Sequence, residues 1–216
     1  MEMRELLREC KTLVGPFPEF HPQDTPKYPV DLFIEWLQNA IQNGVPEPHA
    51  MILATADCNG YPDSRVLILK DIDQDGWYFA SSSLSVKGMQ IQGNPRVALT
   101  FYWPSIGRQI RIRGVAEKMS EEQSAQDFLD RGTIARAVAL IGKQSTILES
   151  LLTFDEAVME QIANIEEKPD QVYELWTLYR VAATEVEFWQ ADRERKHIRL
   201  KYRLKKEKWT KNLLWA

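Results

Sequence analysis

The chain has 216 residues, of which 44% are hydrophobic and 27% charged, and this composition is sufficient to bury one substantial core. Its formal net charge of −4 and pI of about 5.5 argue against binding bulk nucleic acid by electrostatic attraction. No run reaches the ~18 to 20 apolar residues that a membrane-spanning helix needs, and the charged first residues lack a signal-peptide pattern. We therefore expect a soluble, cytoplasmic protein.

The cysteines and histidines give no pattern for a disulfide or a metal site. Cys10 and Cys58 lie in unrelated contexts, without CxxC or paired spacing. The histidines, His21, His49 and His197, are too few and too scattered for a multi-histidine site. We expect no metal.

The first part of the chain changes from a proline-rich arm to a helix and then to strands. Residues 1–29 include four prolines within a short stretch and are assigned to an extended N-terminal arm. Residues 30–44 place apolar side chains at helical spacing and end on a glycine, which predicts a helix. Asn-Gly at 59–60 and Asp-Gly at 75–76 then separate runs rich in branched and aromatic residues, a pattern typical of antiparallel hairpins.

The rest of the chain adds strands, then helices, then strands again. Ser120 and Gln123 form the pattern of a capping box at the start of the first of these helices. Short antiparallel strands in succession indicate a closed or nearly closed barrel. We predict an α+β protein in which residues 30–216 form a single domain, an antiparallel barrel with peripheral helices.

The segment EFWQADRERKHIRLKY, residues 187–202, has the strongest local pattern. If it is extended, alternation places four cations and His197 on one face, with an apolar lining opposite. Cations clustered without carboxylate partners would repel one another, and arginine pairs well with phosphate. A small anionic ligand is the hypothesis that explains this face.

Four other segments are ambiguous when each is taken alone. Residues 64–70 read either as a central strand with charged ends or as a strand whose two cations reach phosphates. Residues 81–91 read as an ordinary serine-rich helix start or as a phosphate cradle. The arginine-rich strand 107–114 and the loop 142–145 have equally ordinary interpretations.

Taken in order, these segments resemble the pyridoxamine 5′-phosphate oxidase family of flavin mononucleotide (FMN) enzymes. The resemblance is carried by SRVLILK, SSSLSVKGMQIQGNPRV, FYW with RQIRIRG, GKQS, and VEFWQ followed by RKHIR, and it extends over nearly the whole chain from about Val30. It implies an antiparallel FMN-binding split β-barrel with peripheral helices, and a homodimer with FMN bound at two sites between the subunits. The family reaction oxidises pyridoxamine 5′-phosphate or pyridoxine 5′-phosphate to pyridoxal 5′-phosphate and reduces O2 to H2O2.

The resemblance also implies roles for individual residues. Those that would contact FMN are Arg65, Val66, Leu67, Ile68, Leu69, Lys70, Ser81, Lys87, Gln109, Gln144, Ser145, Trp189 and Arg199. Those that would contact the phosphorylated substrate are Lys70, Arg131, Arg195 and His197, and the last two form the catalytic pair that orients the pyridine ring.

Several positions depart from the family pattern. Val86 stands in place of an arginine expected near the FMN phosphate, whereas Asp127 and Ala135 replace a tyrosine and a serine expected on the substrate phosphate. Two alternatives therefore stay open: a sister FMN oxidase of the phenazine-biosynthesis type acting on another substrate, and a flavin-binding protein without turnover. The presence of Lys70 and Arg131 favours the vitamin B6 oxidase.

Overall fold

The structure, a computed structural model, describes residues 2–216. Its helices are α1 (Met3–Glu9), α2 (Pro29–Gln42), α3 (Val86–Gly93), α4 (Glu121–Leu129), α5 (Thr133–Leu140) and α6 (Leu151–Glu167). Its strands are β1 (Ala50–Ala56), β2 (Pro62–Ile68), β3 (Asp71–Asp73), β4 (Gly76–Ser82), β5 (Arg96–Trp103), β6 (Arg108–Lys118), β7 (Trp176–Gln190), β8 (Ile198–Lys205) and β9 (Lys208–Leu214).

Hydrogen bonding orders the strands β2-β1-β5-β6-β7-β4-β3, with β8 beside β7 and β9 beside β8. The β3–β4, β4–β7, β7–β8 and β8–β9 pairs are antiparallel. The predicted α+β class is confirmed. The strand β2 ends this order, however, so the interpretation of residues 64–70 as a central strand is wrong.

The chain divides into two compact units. Unit 1 comprises residues 2–52, 98–113 and 183–216, and unit 2 comprises residues 53–97 and 114–182. The assignment of an arm followed by a single domain stays a prediction.

The core of unit 1 forms around α2, whose apolar side chains share one buried face. Phe33 meets Phe101 of β5 edge-on, with ring centroids 4.9 Å apart. Trp36 meets Phe188 of β7 in the same way at 5.1 Å. The helix predicted for residues 30–44 is thus confirmed, and its burial anchors the strands of this unit.

The N-terminal arm packs against the same unit. The Phe20 ring lies edge-on to Trp36, with centroids 5.0 Å apart. The Pro26 carbonyl accepts a hydrogen bond from the buried Tyr202 hydroxyl at 2.8 Å. The helix α1 was not predicted; none of its residues is buried, so it lacks the packed apolar face by which a sequence pattern is recognised.

The core of unit 2 forms around β4, which is buried along nearly its whole length between β3 and β7. Phe79 of β4 stacks on Tyr179 of β7, with centroids 5.2 Å apart. At the start of α4, the predicted capping box between Ser120 and Gln123 is present. The stacking of Phe79 on Tyr179 holds β4, whose last residues line the pocket described below.

The hairpin of β3 and β4 contains a buried phenol that links stability to pH. The Tyr78 hydroxyl donates to Asp73 Oδ2 at 2.7 Å, and burial, followed by this carboxylate, raises the pKa of Tyr78 to about 12. Tyrosine in an unfolded chain ionises at about pH 10. The stabilisation from the neutral phenol is therefore complete below about pH 10 and is lost as the pH rises towards about 12.

We accordingly expect the free energy of unfolding of the wild type to fall more steeply between about pH 10 and pH 12 than that of the Tyr78→Phe variant. Urea unfolding at stepped pH would measure both curves. Parallel curves would contradict the role given to this hydroxyl.

Candidate functional site

Unit 2 contains a pocket of about 810 Å³ that brings together most of the residues predicted for it. Its lining includes Val66, Leu67, Ile68, Lys70, Ser81, Lys87, Arg131, Gln144 and Ser145. An adjoining smaller pocket is lined by Arg65 together with Lys87, Gln144 and Ser145. Leu69 is buried and is not among the lining residues. Segments far apart in sequence therefore converge on one cavity.

One end of the pocket has the composition of an anion site. Lys87 is only 6% exposed, and its Nζ donates to Ser81 Oγ at 3.2 Å. Ser85 caps α3 by accepting a hydrogen bond from the Gly88 N–H at 3.2 Å. Burial, and then the nearby Arg65 guanidinium, lowers the pKa of Lys87. A buried ammonium, serine hydroxyls and the start of an eight-residue helix together favour a bound anion.

Arg65 is held beside this end by contacts within unit 2. Its Nη1 donates to Thr55 Oγ1 at 2.6 Å and to the Leu53 carbonyl at 3.3 Å, and its Nη2 pairs with Asp63. Asp63 neutralises part of the arginine charge. The smaller pocket is also lined by Val86, which adds no charge.

The other polar part of the pocket, which we call the anchoring end, is lined by Lys70, Arg131 and Trp176, and Asp127 contacts two of these residues without lining the pocket itself. Asp127 Oδ1 lies 3.5 Å from Lys70 Nζ, and Asp127 Oδ2 accepts a hydrogen bond from Trp176 Nε1 at 2.7 Å. The Arg131 guanidinium lies over the Trp176 ring, 4.1 Å from its centroid. Burial lowers the pKa of Arg131, although the neighbouring Asp127 opposes this shift.

Arg131 has hydrogen-bonding capacity left over. Its Nη2 donates to the Ala135 carbonyl at 3.0 Å. Its buried Nε has no hydrogen-bond partner among residues 2–216. This atom is shielded from solvent, but Arg131 as a whole lines the pocket, so its guanidinium can pair with an anionic group bound at the anchoring end.

The sequence reasoning missed an apolar wall of the same pocket. This wall comes from α5, α6 and the loop between them, and includes Val138, Ile141, Ile147, Leu148, Phe154 and Ala157. Ile147 is 98% exposed in the isolated chain. Large apolar side chains in this polar, serine-containing stretch were the signal that could have identified the wall.

The segment 187–202 in unit 1 forms a hairpin with a loop. β7 ends at Gln190 and β8 begins at Ile198. Asp192 Oδ1 accepts a hydrogen bond from the Glu194 backbone N–H at 2.8 Å, which turns the chain. The expectation of one extended face from 187 to 202 is therefore wrong, because alternation stops in the loop.

The predicted catalytic pair lies in or beside this loop. Arg195 is exposed and has φ of +64°, an uncommon conformation for a non-glycine residue. His197 Nδ1 accepts a hydrogen bond from the Asp192 N–H at 3.1 Å, so the neutral ring carries its proton on Nε2. The ring lies 4.7 Å from the Trp189 ring, centroid to centroid. Trp189 and the backbone of Asp192 thus hold the imidazole with a donor available at Nε2.

The cations of β8 have carboxylate partners. Arg199 Nη2 lies 2.9 Å from Glu187 Oε1, and Lys201 Nζ lies 2.7 Å from Glu185 Oε2. The Arg199 Nη1 also donates to the Trp215 carbonyl at 2.9 Å. The premise that this strip lacks carboxylate partners is therefore wrong, and the charge pattern of β8 alone does not require a ligand.

Gln109 lies on β6 with the predicted alternation. Ile110 and Ile112 are buried, whereas Arg111 is exposed. Arg108 is buried on the apolar side, where its guanidinium lies 4.2 Å from the centroid of a Trp36 ring. Gln109 belongs to unit 1 and does not line the pocket of unit 2. The same is true of Trp189, Arg195, His197 and Arg199.

Within residues 2–216, no group of three or more histidine, cysteine, aspartate or glutamate side chains could hold a metal ion. None of the helices in this range combines the length and apolar character needed to cross a membrane.

Known proteins with this sequence pattern and fold carry related names. A family model described as Pyridoxamine 5′-phosphate oxidase matches residues 37–176, and one described as Pyridoxine 5′-phosphate oxidase C-terminal dimerisation region matches residues 176–216. A pyridoxine/pyridoxamine 5′-phosphate oxidase of Legionella pneumophila is 37% identical over 182 residues, which are 84% of this chain and 85% of that protein. Its namesake in Haemophilus influenzae is 38% identical over 194 residues, 88% of this chain and 90% of that protein.

A solved structure shares the fold over nearly the full length. PhzG from Burkholderia lata 383, in complex with tetrahydrophenazine-1-carboxylic acid, matches with a TM-score of 0.87 and 29% identity, covering 95% of this chain and 100% of that chain. The predicted split barrel is thereby confirmed. The matches to the family models and the sequence identities to curated relatives show that the chain belongs to the pyridoxamine 5′-phosphate oxidase family.

Proposed function

We propose that this protein is a homodimeric FMN-dependent oxidase that converts pyridoxamine 5′-phosphate or pyridoxine 5′-phosphate to pyridoxal 5′-phosphate. The observation that carries the proposal is one pocket with two cationic groups, Lys87 with Ser81 and Lys70 with Arg131, beside an apolar wall. A phosphorylated cofactor and a second anionic ring compound need this combination of charge and apolar surface. A cytoplasmic location and the arm-plus-domain organisation are parts of the same proposal.

The residues present fit the phosphate of FMN. Lys87 is buried and, within the described part of the chain, no carboxylate lies within ion-pair distance of its ammonium group. Ser81, Lys87 and Arg65 would hold the phosphate, and Gln144 and Ser145 line the adjoining wall. When bound, FMN supplies hydride acceptance from the substrate carbon and reaction of the reduced flavin with O2, which yields H2O2.

The other predicted residues would bind the substrate or contact FMN. Lys70 and Arg131 would bind the substrate phosphate, since both are cationic and both line the pocket. Arg195 and His197 would orient the pyridine ring, with His197 donating from Nε2. No strong general base is required at the substrate carbon, because the hydrogen leaves it as a hydride, with the electron pair of the C–H bond. Gln109, Trp189 and Arg199 stay proposed FMN contacts.

The homodimer is supported by the match to a dimerisation region over residues 176–216. It is also supported by the exposed apolar side chains of β2, Val66 and Ile68, which line the pocket at an end of the strand order. We propose that FMN lies between the two subunits, so that residues of both complete each site.

The test is turnover with FMN-loaded protein. We expect H2O2 and pyridoxal 5′-phosphate from pyridoxamine 5′-phosphate, and we expect His197→Asn to lower kcat/KM by about tenfold or more without changing FMN affinity. Peroxide formation and flavin fluorescence measure the two quantities. Arg193→Ala, an exposed loop change two residues from Arg195, is the control that should leave turnover intact.

A second candidate function is a sister FMN oxidase of the phenazine-biosynthesis type, which acts on another substrate. It is favoured by the Lys70–Asp127 ion pair and by the similarity to PhzG. Flavin binding without peroxide from either vitamin B6 phosphate would favour this candidate or a non-catalytic flavin-binding protein. Failure to bind FMN at all would exclude all three.

A further inference from the structure

Asp127 places a negative charge beside the anchoring end, against two of its lining residues. Its side chain is 12% exposed, and its two oxygens are directed to different partners, Lys70 and Trp176. The hydrogen bond from Trp176 Nε1 holds the carboxylate in place, so it cannot turn away without leaving a buried indole donor unpaired. The charge is therefore fixed next to the residues that line the anchoring end.

The charges of this end can be counted. Lys70 and Arg131 supply two positive charges, and Asp127 cancels one of them, which leaves a net charge of about +1. A phosphate ester above pH ~7 carries nearly two negative charges, because its second pKa is about 6. Binding it would leave an uncompensated negative charge, with Asp127 close to the phosphate oxygens. A carboxylate carries a single negative charge and balances this end.

The remaining contacts suit the same kind of ligand. Arg131 offers a guanidinium that lines the pocket, and Lys70 offers an ammonium that lies 3.5 Å from the nearest Asp127 oxygen, which is longer than a normal hydrogen bond. Ala135, whose carbonyl accepts a hydrogen bond from Arg131, has no side-chain donor to add. Two cationic donors facing one acceptor group are sufficient for a carboxylate, whereas phosphate has three terminal oxygens to satisfy.

We infer that Asp127 is a specificity-determining residue, which makes the anchoring end prefer ring substrates whose anchoring group carries one negative charge, a carboxylate, over those that carry a phosphate dianion. The inference rests on the proposed function, since it assumes that an oxidisable ring compound is anchored here. It predicts that vitamin B6 phosphates are turned over with a raised KM.

The experiment compares two anchoring groups in FMN-loaded protein at about pH 8. The ligands are pyridoxamine 5′-phosphate and an analogue in which a carboxylate replaces the phosphate. Asp127→Asn keeps an acceptor for Trp176 and removes the charge. We expect it to raise kcat/KM for the phosphate by about tenfold relative to that for the carboxylate analogue, mainly through KM.

Asp130→Asn is the matched control. It makes the same charge change in the cap of the same helix, where Asp130 accepts a hydrogen bond from Gln126 outside the pocket, and it should leave the preference unchanged. The thermal midpoint of each variant shows whether it is folded. If Asp127→Asn is unstable, measurements on the wild type alone still test the inference. A wild-type preference for the phosphate ligand over the carboxylate analogue overturns it.

Direct binding separates this inference from the proposed function. Dissociation constants of pyridoxal 5′-phosphate and its carboxylate analogue are measured by equilibrium dialysis on the same proteins. If no variant forms peroxide but Asp127→Asn shifts the ratio of the two constants towards the phosphate, the inference holds and the proposed function fails. An unchanged ratio in a protein that turns over the phosphate overturns the inference alone, and no binding of either ligand overturns both.

Discussion

Replacing Lys87 by methionine is expected to weaken FMN binding by about 10- to 100-fold while leaving the protein without FMN as stable as the wild type or more stable. The expected loss of affinity corresponds to one charge-assisted hydrogen bond of about 1.5 to 3 kcal/mol. Methionine keeps an unbranched chain of similar length, so the packing at the start of α3 is preserved.

The opposite effects on binding and stability follow from where Lys87 lies. Its ammonium group donates to Ser81, but it is buried and lies near the Arg65 guanidinium, and these last two features make the charge unfavourable without an anion. Removing it relieves burial and repulsion in the unliganded protein. A residue retained only for structure would show the reverse, since its removal would lower stability.

Flavin fluorescence titration and thermal unfolding with and without FMN measure both effects. Lys118→Met is the control, since this exposed lysine at the end of β6 has the same charge and lies outside both pockets. Equal FMN affinity for Lys87→Met and wild type would contradict the assignment of the phosphate end.

Local patterns in the sequence were sufficient for much of the fold. The helix at residues 30–44, the capping box at Ser120 and the alternation along β6 each depend on a few neighbouring residues, and the structure has all three. Hydrogen bonds within a turn or a strand repeat are encoded within ten or so residues, so a single sequence suffices to find them.

The errors concern contacts made by residues far apart in sequence. The pairing of Arg199 with Glu187 depends on the β7–β8 register, in which Trp189 lies opposite Arg199, and a register is not readable from either strand alone. The loop before β8 had a local signal, since Asp192 is a turn-forming residue within a polar run, but the alternation on either side concealed it. The interpretation of the strip 187–202 was consequently wrong about the neighbouring cations, and the role given to His197 stays a prediction.

The residues that line the pocket could be predicted from the sequence, whereas some of the contacts between them could not. The family resemblance predicted which residues would gather, and ten of them line the two adjoining cavities; they come from β2, β4, α3, the 142–145 loop and the segments that follow β2 and α4. It could identify Asp127 as a departure, but not its partners, because the contacts with Lys70 and Trp176 join segments about fifty residues apart. The chemistry of this end could be read only from the folded chain.

Gly88 lies in the first turn of α3, where there is no room for a side chain. The Gly88→Ala variant should therefore be less stable than the wild type and should bind FMN more weakly. A Cβ atom at Gly88 would lie 2.5 Å from the Ser83 carbonyl oxygen and 2.6 Å from that of Ser82. Both are backbone atoms between β4 and α3, so they cannot move aside as a flexible side chain would. The helix start must therefore shift away from the end of β4.

That shift would disturb the anion site directly. The Gly88 N–H donates to the capping Ser85 hydroxyl, and the preceding residue is Lys87, whose ammonium contacts Ser81. We expect the free energy of unfolding to fall by about 2 to 4 kcal/mol. We also expect FMN affinity to fall by at least about tenfold, because the donors lose their common geometry.

Gly93→Ala is the matched control at the other end of the same helix. No atom lies within 4 Å of a Cβ built there, so the substitution adds a helix-favouring residue without a clash. It should leave FMN affinity unchanged and stabilise the protein by up to about 1 kcal/mol, because the unfolded chain loses flexibility. Urea unfolding and flavin titration of the two variants test the argument together. Equal behaviour of the two alanine variants would show that close packing of α3 on β4 does not form the phosphate end.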